Sequence, residues 1–104
     1  MTCTVTLRRG SLCFTRGDYD RFFPGVESVV LLRDGAALLI LPVMQAAAGG
    51  TLLKQRNLAG DRVAHAAGFF RENGIPDEVE RESAAEWSAE RAALVVERFF
   101  EVRT

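Results

Sequence analysis

The sequence has few of the side chains that bind soft metals or cofactors. Its 104 residues include one histidine, His65, and two cysteines, Cys3 and Cys13, which are too few ligands for a transition-metal site. The sequence also lacks a glycine-rich phosphate loop, a dinucleotide fingerprint and a nucleophile elbow. We therefore expect no metal and no cofactor, and the sequence favours a non-enzymatic function over an enzymatic one.

Long apolar runs are missing too. No segment reaches the roughly 18 uncharged apolar residues that a membrane-crossing helix requires, and residues 1–4 lack the features of a secretory signal. With 48% hydrophobic residues, the chain is nevertheless apolar enough to fold. These features predict a single domain over residues 1–104, located in the cytoplasm and without membrane contact.

An excess of either charge is absent, because the formal net charge is only −1. This balance makes nucleic acid an unlikely partner. The charges are unevenly distributed, however, with a net +4 over residues 1–71 and −5 over residues 72–104. Such polarity can steer one protein molecule against another. Of the basic residues only Lys54 is a lysine, and this bias towards arginine favours a GC-rich bacterial genome as the source.

The first recognisable element is a hairpin over residues 3–14 that turns at Arg9-Gly10. A two-residue turn pairs Leu7 with Leu12, and side-chain alternation then places Cys3 and Cys13 on opposite faces. The thiols should not meet, which predicts a reduced protein with two free cysteines.

A second hairpin is predicted around Asp34-Gly35, with strands over residues 28–33 and 36–41. This register pairs Val30 with Leu39, and both faces of the hairpin are apolar. Because a sheet with one wet face would alternate polar and apolar residues, either helices cover both faces or a second subunit covers one. The hairpin therefore predicts a homodimer, or a protein partner, bound through an apolar sheet face.

Two helices and one more strand complete the elements predicted for the first two thirds of the chain. Asp18 is expected to cap one helical turn that Pro24-Gly25 ends. Pro42 should end the second hairpin, residues 44–50 should form a loop, and residues 51–55 a short strand. A central helix is predicted over residues 62–73, with Asp61 as its N-cap and Gly74 as its left-handed terminator.

The last third fits two structures. Ser83 and Glu86 match a capping box, and the composition of residues 84–98 favours a helix. Alternatively, residues 93–96 form a strand hairpinned to Glu86-Trp87. We favour the helix. The predicted fold class is thus α+β, with an antiparallel sheet of about five strands, a central helix and a C-terminal helix or hairpin.

The richest polar cluster lies where the fifth strand meets the central helix. It comprises Lys54, Arg56, Asn57, Asp61, Arg62 and His65. A helix N-terminus with cations beside it attracts an anion, and Asp61 and His65, four residues apart on a helix, would share a face. We favour a solvated surface as the explanation of the cluster, with a ligand or anion site as the first alternative and a catalytic site as the second.

These observations predict a non-catalytic binding or accessory module that forms a homodimer. The alternative is a small ligand-binding or anion-binding protein, or an enzyme, that uses the junction from Arg56 to His65. A transcriptional regulator is the third and least favoured reading, because the basic cluster is small and interrupted.

Overall fold

The computed structural model describes residues 1–43 and 50–101, and this part of the chain contains eight strands and two short helices. The strands are β1 (Thr2–Arg8), β2 (Ser11–Phe14), β3 (Ser28–Asp34), β4 (Ala37–Val43), β5 (Thr51–Gln55), β6 (Arg62–His65), β7 (Glu80–Ser88) and β8 (Ala93–Val96). The helices are α1 (Arg16–Phe22) and α2 (Ala67–Glu72). Neither of these two helices is long enough to cross a membrane.

The strands form one closed antiparallel barrel in the order β1-β2-β6-β5-β3-β4-β8-β7. Closure comes from β1 and β7, which pair at seven consecutive positions from Thr2–Glu86 to Arg8–Glu80. The predicted α+β fold with about five strands is therefore wrong. Residues 62–65 of the expected central helix, and residues 84–88 and 93–96 of the expected C-terminal helix, are strands of the barrel wall.

The barrel interior is filled by one face of each strand, because side chains alternate between the two sides of a sheet. Eight of the ten largest fully buried side chains lie in strands, and the other two, Phe70 in α2 and Phe23 directly after α1, lie at the barrel ends. The eight are Val5, Leu7, Leu12, Val29, Leu38, Ile40, Leu94 and Val96. The core is thus aliphatic along the wall and aromatic towards the ends.

Aromatic clusters close the two ends of the barrel. Helix α1 follows β2 directly, and Phe23 after it meets Phe14 edge-on at 5.8 Å and Trp87 at 6.5 Å between ring centroids. At the opposite end, Phe70 of α2 packs at 5.7 Å from Phe99, which lies 5.1 Å from Phe100. Each short helix is held by this packing, since isolated helices of six or seven residues are unstable.

The first hairpin has the predicted register, with Leu7 opposite Leu12 and Thr6 opposite Cys13. The end of α2 is also as predicted. Gly74 has a positive φ of 83°, and the N–H groups of Gly74 and Ile75 donate to the carbonyls of Arg71 and Phe70 at 3.1 and 2.8 Å. This is the paired-bond helix terminator that a left-handed glycine permits.

The second hairpin turns one residue later than predicted. Gly35 and Ala36 form the turn, so Asp34 pairs with Ala37 and Leu32 with Leu39. The register differs from the predicted one by two residues, which leaves every side chain on its predicted face. Pro42 does not end β4, because it pairs with Val29 inside the ladder. The loop expected over residues 44–50 lies outside the described residues except for Gly50, and β5 has the predicted bounds.

The predicted helix over residues 62–73 is wrong in its first half. Residues 62–65 form β6, which pairs with β2 on one side and with β5 on the other. Only residues 67–72 are helical, and Asp61 does not cap them. Two flanking strands supply more backbone hydrogen bonds than a short helix would, so tertiary pairing overrides the local helical spacing.

The predicted C-terminal helix is wrong, and the alternative prediction, a hairpin between residues 93–96 and Glu86-Trp87, is confirmed. Residues 84–88 continue β7, and β8 forms a hairpin with it in which Trp87 pairs with Leu94. The supposed capping box at Ser83 and Glu86 lies inside a strand. At the other short helix, Thr15 and not Asp18 is the N-cap, and its hydroxyl accepts from the Asp18 N–H at 3.2 Å.

Replacing a side chain in the barrel core should destabilise the protein far more than replacing an equally large one outside it. Leu12 is completely buried, so we expect Leu12→Ala to lower the free energy of unfolding by about 2–5 kcal/mol. Leu58 is fully exposed, and Leu58→Ala should change it by less than about 0.5 kcal/mol. Urea unfolding followed by tryptophan fluorescence measures the free energy of unfolding of both variants. An equal decrease for Leu12→Ala and Leu58→Ala would contradict the barrel.

Candidate functional site

The six residues of the predicted polar cluster occupy β5, β6 and the loop between them. Lys54 lies on β5 and pairs with Val63 on the outer wall. Arg56, Asn57 and Asp61 belong to the loop, whereas Arg62 and His65 are the first and last residues of β6. Because a strand rises about 3.3 Å per residue, the two ends of β6 are about 10 Å apart. The structure thus divides the cluster into a loop group, formed by Arg56, Asn57 and Asp61 with Arg62 directly after them, and an outer-wall group, formed by Lys54 and His65.

The loop group is organised by reciprocal hydrogen bonds between Asn57 and Asp61. Asn57 Nδ2 donates to Asp61 Oδ2 at 3.0 Å, and the Asp61 N–H donates to Asn57 Oδ1 at 3.2 Å. Asp61 Oδ1 also accepts from the N–H of Arg16, the first residue of α1, at 2.9 Å. Asp61 therefore does satisfy a helix N-terminus, although it belongs to α1 and not to the predicted central helix.

These contacts lower the pKa of the Asp61 carboxyl below its ordinary value. The hydrogen bond from the Asn57 amide is the largest cause, followed by the Arg16 N–H, while the charge of Arg56 acts in the same direction. Hydrogen bonds to a carboxylate stabilise its charged form. Asp61 thus keeps its negative charge to low pH, and this charge holds the β5–β6 loop against α1.

Arg62 is already bound within the protein. Its guanidinium donates to the Gly60 carbonyl at 2.9 Å and lies 4.4 Å from the centre of the Tyr19 ring. Tyr19 is itself buried and donates its hydroxyl to the Val26 carbonyl at 2.8 Å. Arg62 therefore stacks on α1 and fastens it over the barrel end, which leaves Lys54 and Arg56 as the more accessible cations of the cluster.

His65 does not meet Asp61, because the helix that would have brought them together is absent. Its Nδ1 lies 2.8 Å from the Ser11 hydroxyl, across the β2–β6 ladder. His65 also borders a shallow depression with Lys54, Thr51 and Leu52. Ser11 is the contact that the sequence did not reveal, because β2 and β6 are far apart in the chain and no local pattern announces their pairing.

The chemistry available to this arrangement is limited. The predicted acid–base pair of Asp61 and His65 is not formed, and the predicted positive helix terminus at residue 62 is a strand. Within residues 1–43 and 50–101, no three histidine, cysteine or carboxylate side chains are grouped closely enough to hold a metal ion. Binding of a small anion near Lys54, Arg56 and His65 stays a prediction.

The thiols occupy the two faces of the first hairpin, as predicted, and both are free. Cys3 packs against the core, and burial raises the pKa of its thiol to about 11, with the nearby Asp18 adding to the rise and Arg21 opposing it. A thiol with this pKa is protonated at neutral pH and is a poor nucleophile.

A different feature of the surface is apolar. The inner face of the β3–β4 hairpin packs into the core, whereas its outer face carries Val30, Leu32, Leu39 and Leu41. Leu52 of the neighbouring strand β5 continues this face, because it pairs with Ser28 beside Val30. Leu32 and Leu52 remain 46% and 57% exposed. We call these five residues the outer apolar patch.

Comparison of the chain with protein-family models, with curated proteins and with solved structures finds no match.

The Asp61 carboxylate should stabilise the fold in a pH-dependent way. Its pKa is lowered in the folded state, so its contribution is complete above the unfolded value of about 3.9 and is lost as the pH falls through the folded value. We expect Asp61→Asn to melt at a lower temperature than the parent at neutral pH, with the difference narrowing in acid. Differential scanning calorimetry across this range measures the effect.

The matched control for this measurement is Asp20→Asn. Asp20 forms an exposed ion pair with Arg16 at 3.5 Å, and such pairs contribute little. A melting difference for Asp61→Asn that is the same at neutral and acid pH would contradict the assigned role.

The two cysteines should differ in reactivity in the native protein. At about pH 8, roughly one Cys3 in a thousand is a thiolate, given a pKa of about 11. Iodoacetamide should therefore label Cys13, on the outer face, well before Cys3, and mass spectrometry of peptides measures the order. After denaturation without reductant both should react, so a denatured protein with no titratable thiol would show that the hairpin assignment is wrong.

Proposed function

We propose that this chain is a non-catalytic protein-binding module that pairs with a second copy of itself through the outer apolar patch. The observation that carries the proposal is the exposure of Leu32 and Leu52 on adjoining strands of a barrel whose interior is already filled. The two leucines lie on one face of the sheet with Val30 between them, and an exposed apolar surface of this kind is typical of an interaction site.

The outer apolar patch supplies part of the free energy of association. Fully burying an exposed leucine side chain contributes about 1.5–3 kcal/mol, and the patch offers two leucines that are about half exposed, with three partly buried neighbours. A specific interface buries about 800 Å² on each partner, which is about one eighth of the 6378 Å² surface of this chain. The patch therefore suits the apolar centre of an interface with a polar rim.

Charge favours a second copy as the occupant. A net charge of −1 gives two copies little mutual repulsion. The small net charge leaves burial of the apolar patch as the main contribution to association.

Sedimentation velocity at micromolar concentration tests the proposal. The parent chain should sediment with twice the monomer mass of 11.4 kDa. The double variant Leu32→Glu, Leu52→Glu should sediment as a monomer and keep the parent circular dichroism spectrum, because charges at an apolar interface oppose its burial.

Leu58→Glu is the control for this double variant, since it introduces the same kind of charge at a fully exposed leucine outside the patch. It should leave the dimer intact. A parent chain that remains a monomer at high micromolar concentration, or a dimer that survives the double variant, would rule out self-association through the patch.

A further inference from the structure

A second surface feature is a groove of about 840 Å³ that runs along β7. One wall consists of residues 79–86. The other wall is the segment that follows β8, residues 97–101, which we call the strap. The groove and the outer apolar patch lie on opposite sides of β8, because β8 separates β7 from β4, the nearest strand of the patch.

The groove lies along an incompletely paired strand edge. β7 pairs with β1 at every position from Glu80 to Glu86, but it pairs with β8 only from Glu86 to Ser88. Within the described residues, the other edge of residues 80–85 therefore forms no ladder. Because antiparallel hydrogen bonds alternate, about three of these six residues direct their N–H and C=O groups towards the groove.

The strap is held away from this edge by its own burial. Phe99 and Phe100 are buried at the barrel end, and Arg98 reaches this position with a positive φ of 58°. Arg81 fixes the arrangement, since its Nη1 donates to the Phe99 carbonyl at 2.9 Å and its guanidinium lies 5.2 Å from the Phe99 ring. The strap thus leaves the ladder at Val96 instead of extending β8 along β7.

The groove is strongly acidic. Its lining contains five glutamates, at positions 80, 82, 86, 97 and 101, and two arginines, at positions 81 and 98. Arg81 is engaged by the strap, and Arg98 pairs with Glu101 at 3.8 Å. Within the described chain, Glu82, Glu86 and Glu97 have no ion-pair partner. These three carboxylates give the groove a negative potential that attracts positively charged groups.

We propose that this groove binds an extended basic segment of a partner protein, which adds to the open edge of β7 as another strand. Main-chain hydrogen bonds to residues 80–85 would supply affinity, and lysine or arginine at alternate positions would face the glutamates. A second copy of this chain cannot use the same edge well, because two β7 strands would bring glutamates into opposition. The proposal is independent of self-association through the outer apolar patch.

The first test uses a fluorescent synthetic peptide of about eight residues that alternates lysine and threonine, a pattern suited to an added strand. We expect saturable binding to the parent chain by fluorescence polarisation. Two further peptides keep all the charges, and each is methylated on one of the two alternate sets of backbone nitrogens. The set that faces β7 donates to it, so one of these peptides should bind at least about tenfold more weakly than the unmodified peptide. Equal affinity of all three peptides would mean that only charge attraction holds the peptide and would overturn the proposal.

The second test changes the protein. Glu82→Gln and Glu86→Gln should each weaken binding of the unmodified peptide about threefold, as expected for exposed ion pairs. Glu72→Gln, on α2 and outside the groove, removes the same charge and should leave the affinity unchanged. The patch variant Leu32→Glu, Leu52→Glu should also bind normally, which separates this result from the outcome for self-association.

Amide hydrogen exchange measured by NMR locates the peptide. In the free protein, alternate amides among residues 80–85 should exchange rapidly because they lack a ladder partner, and the peptide should slow these same amides at least about tenfold. The neighbouring amides that donate to β1 should be slow in both states. Alternate amides that are already protected without peptide, or protection that arises elsewhere, would overturn the proposal.

Discussion

The pairing of β1 with β7 is the constraint on which the rest of this structure depends. Seven consecutive residue pairs join the first strand of the chain to the seventh and turn an open sheet into a barrel. Once the sheet is closed, one face of every strand must be filled with side chains that fit a narrow interior. The leucines, valines and isoleucine of that face meet this requirement, and the aromatic clusters at the two ends complete it.

Closure also determines where function can reside. Because core side chains fill the interior, a partner meets the protein on the outer wall or at places where strand pairing is incomplete. The outer apolar patch is an example of the first, and the groove beside β7 is an example of the second. Two residues of the polar cluster contribute to structure, since Asp61 and Arg62 fasten α1 to the β5–β6 loop.

The parts of the fold that could be predicted from sequence are those determined by neighbouring residues. The hairpin at Arg9-Gly10 and the helix end at Gly74 follow from turn and capping chemistry within a few residues. The faces of the β3–β4 hairpin were also predictable, because a shift of two residues preserves side-chain alternation.

Pairings between distant segments could not be predicted in this way. Residues 62–65 have helical spacing but lie between β2 and β5, and residues 84–88 have a helical composition but complete β7. The same limit applied to the candidate site. The spacing of Asp61 and His65 suggested a contact on a helix, whereas Asp61 binds its near neighbour Asn57 and the distant Arg16, and His65 contacts the distant Ser11.

The topology also sets an order of events during folding. The β1–β2 and β3–β4 hairpins contain only local contacts and can form as soon as their residues are available. The pairing of β1 with β7, which places Thr2 opposite Glu86, joins segments from nearly opposite ends of the described chain. Closing so long a loop carries a large entropic cost. We therefore expect barrel closure to be the late and slow step of folding. Until β7 arrives, a nascent chain exposes the full edge of β1, and its exposure to aggregation is greatest in that interval.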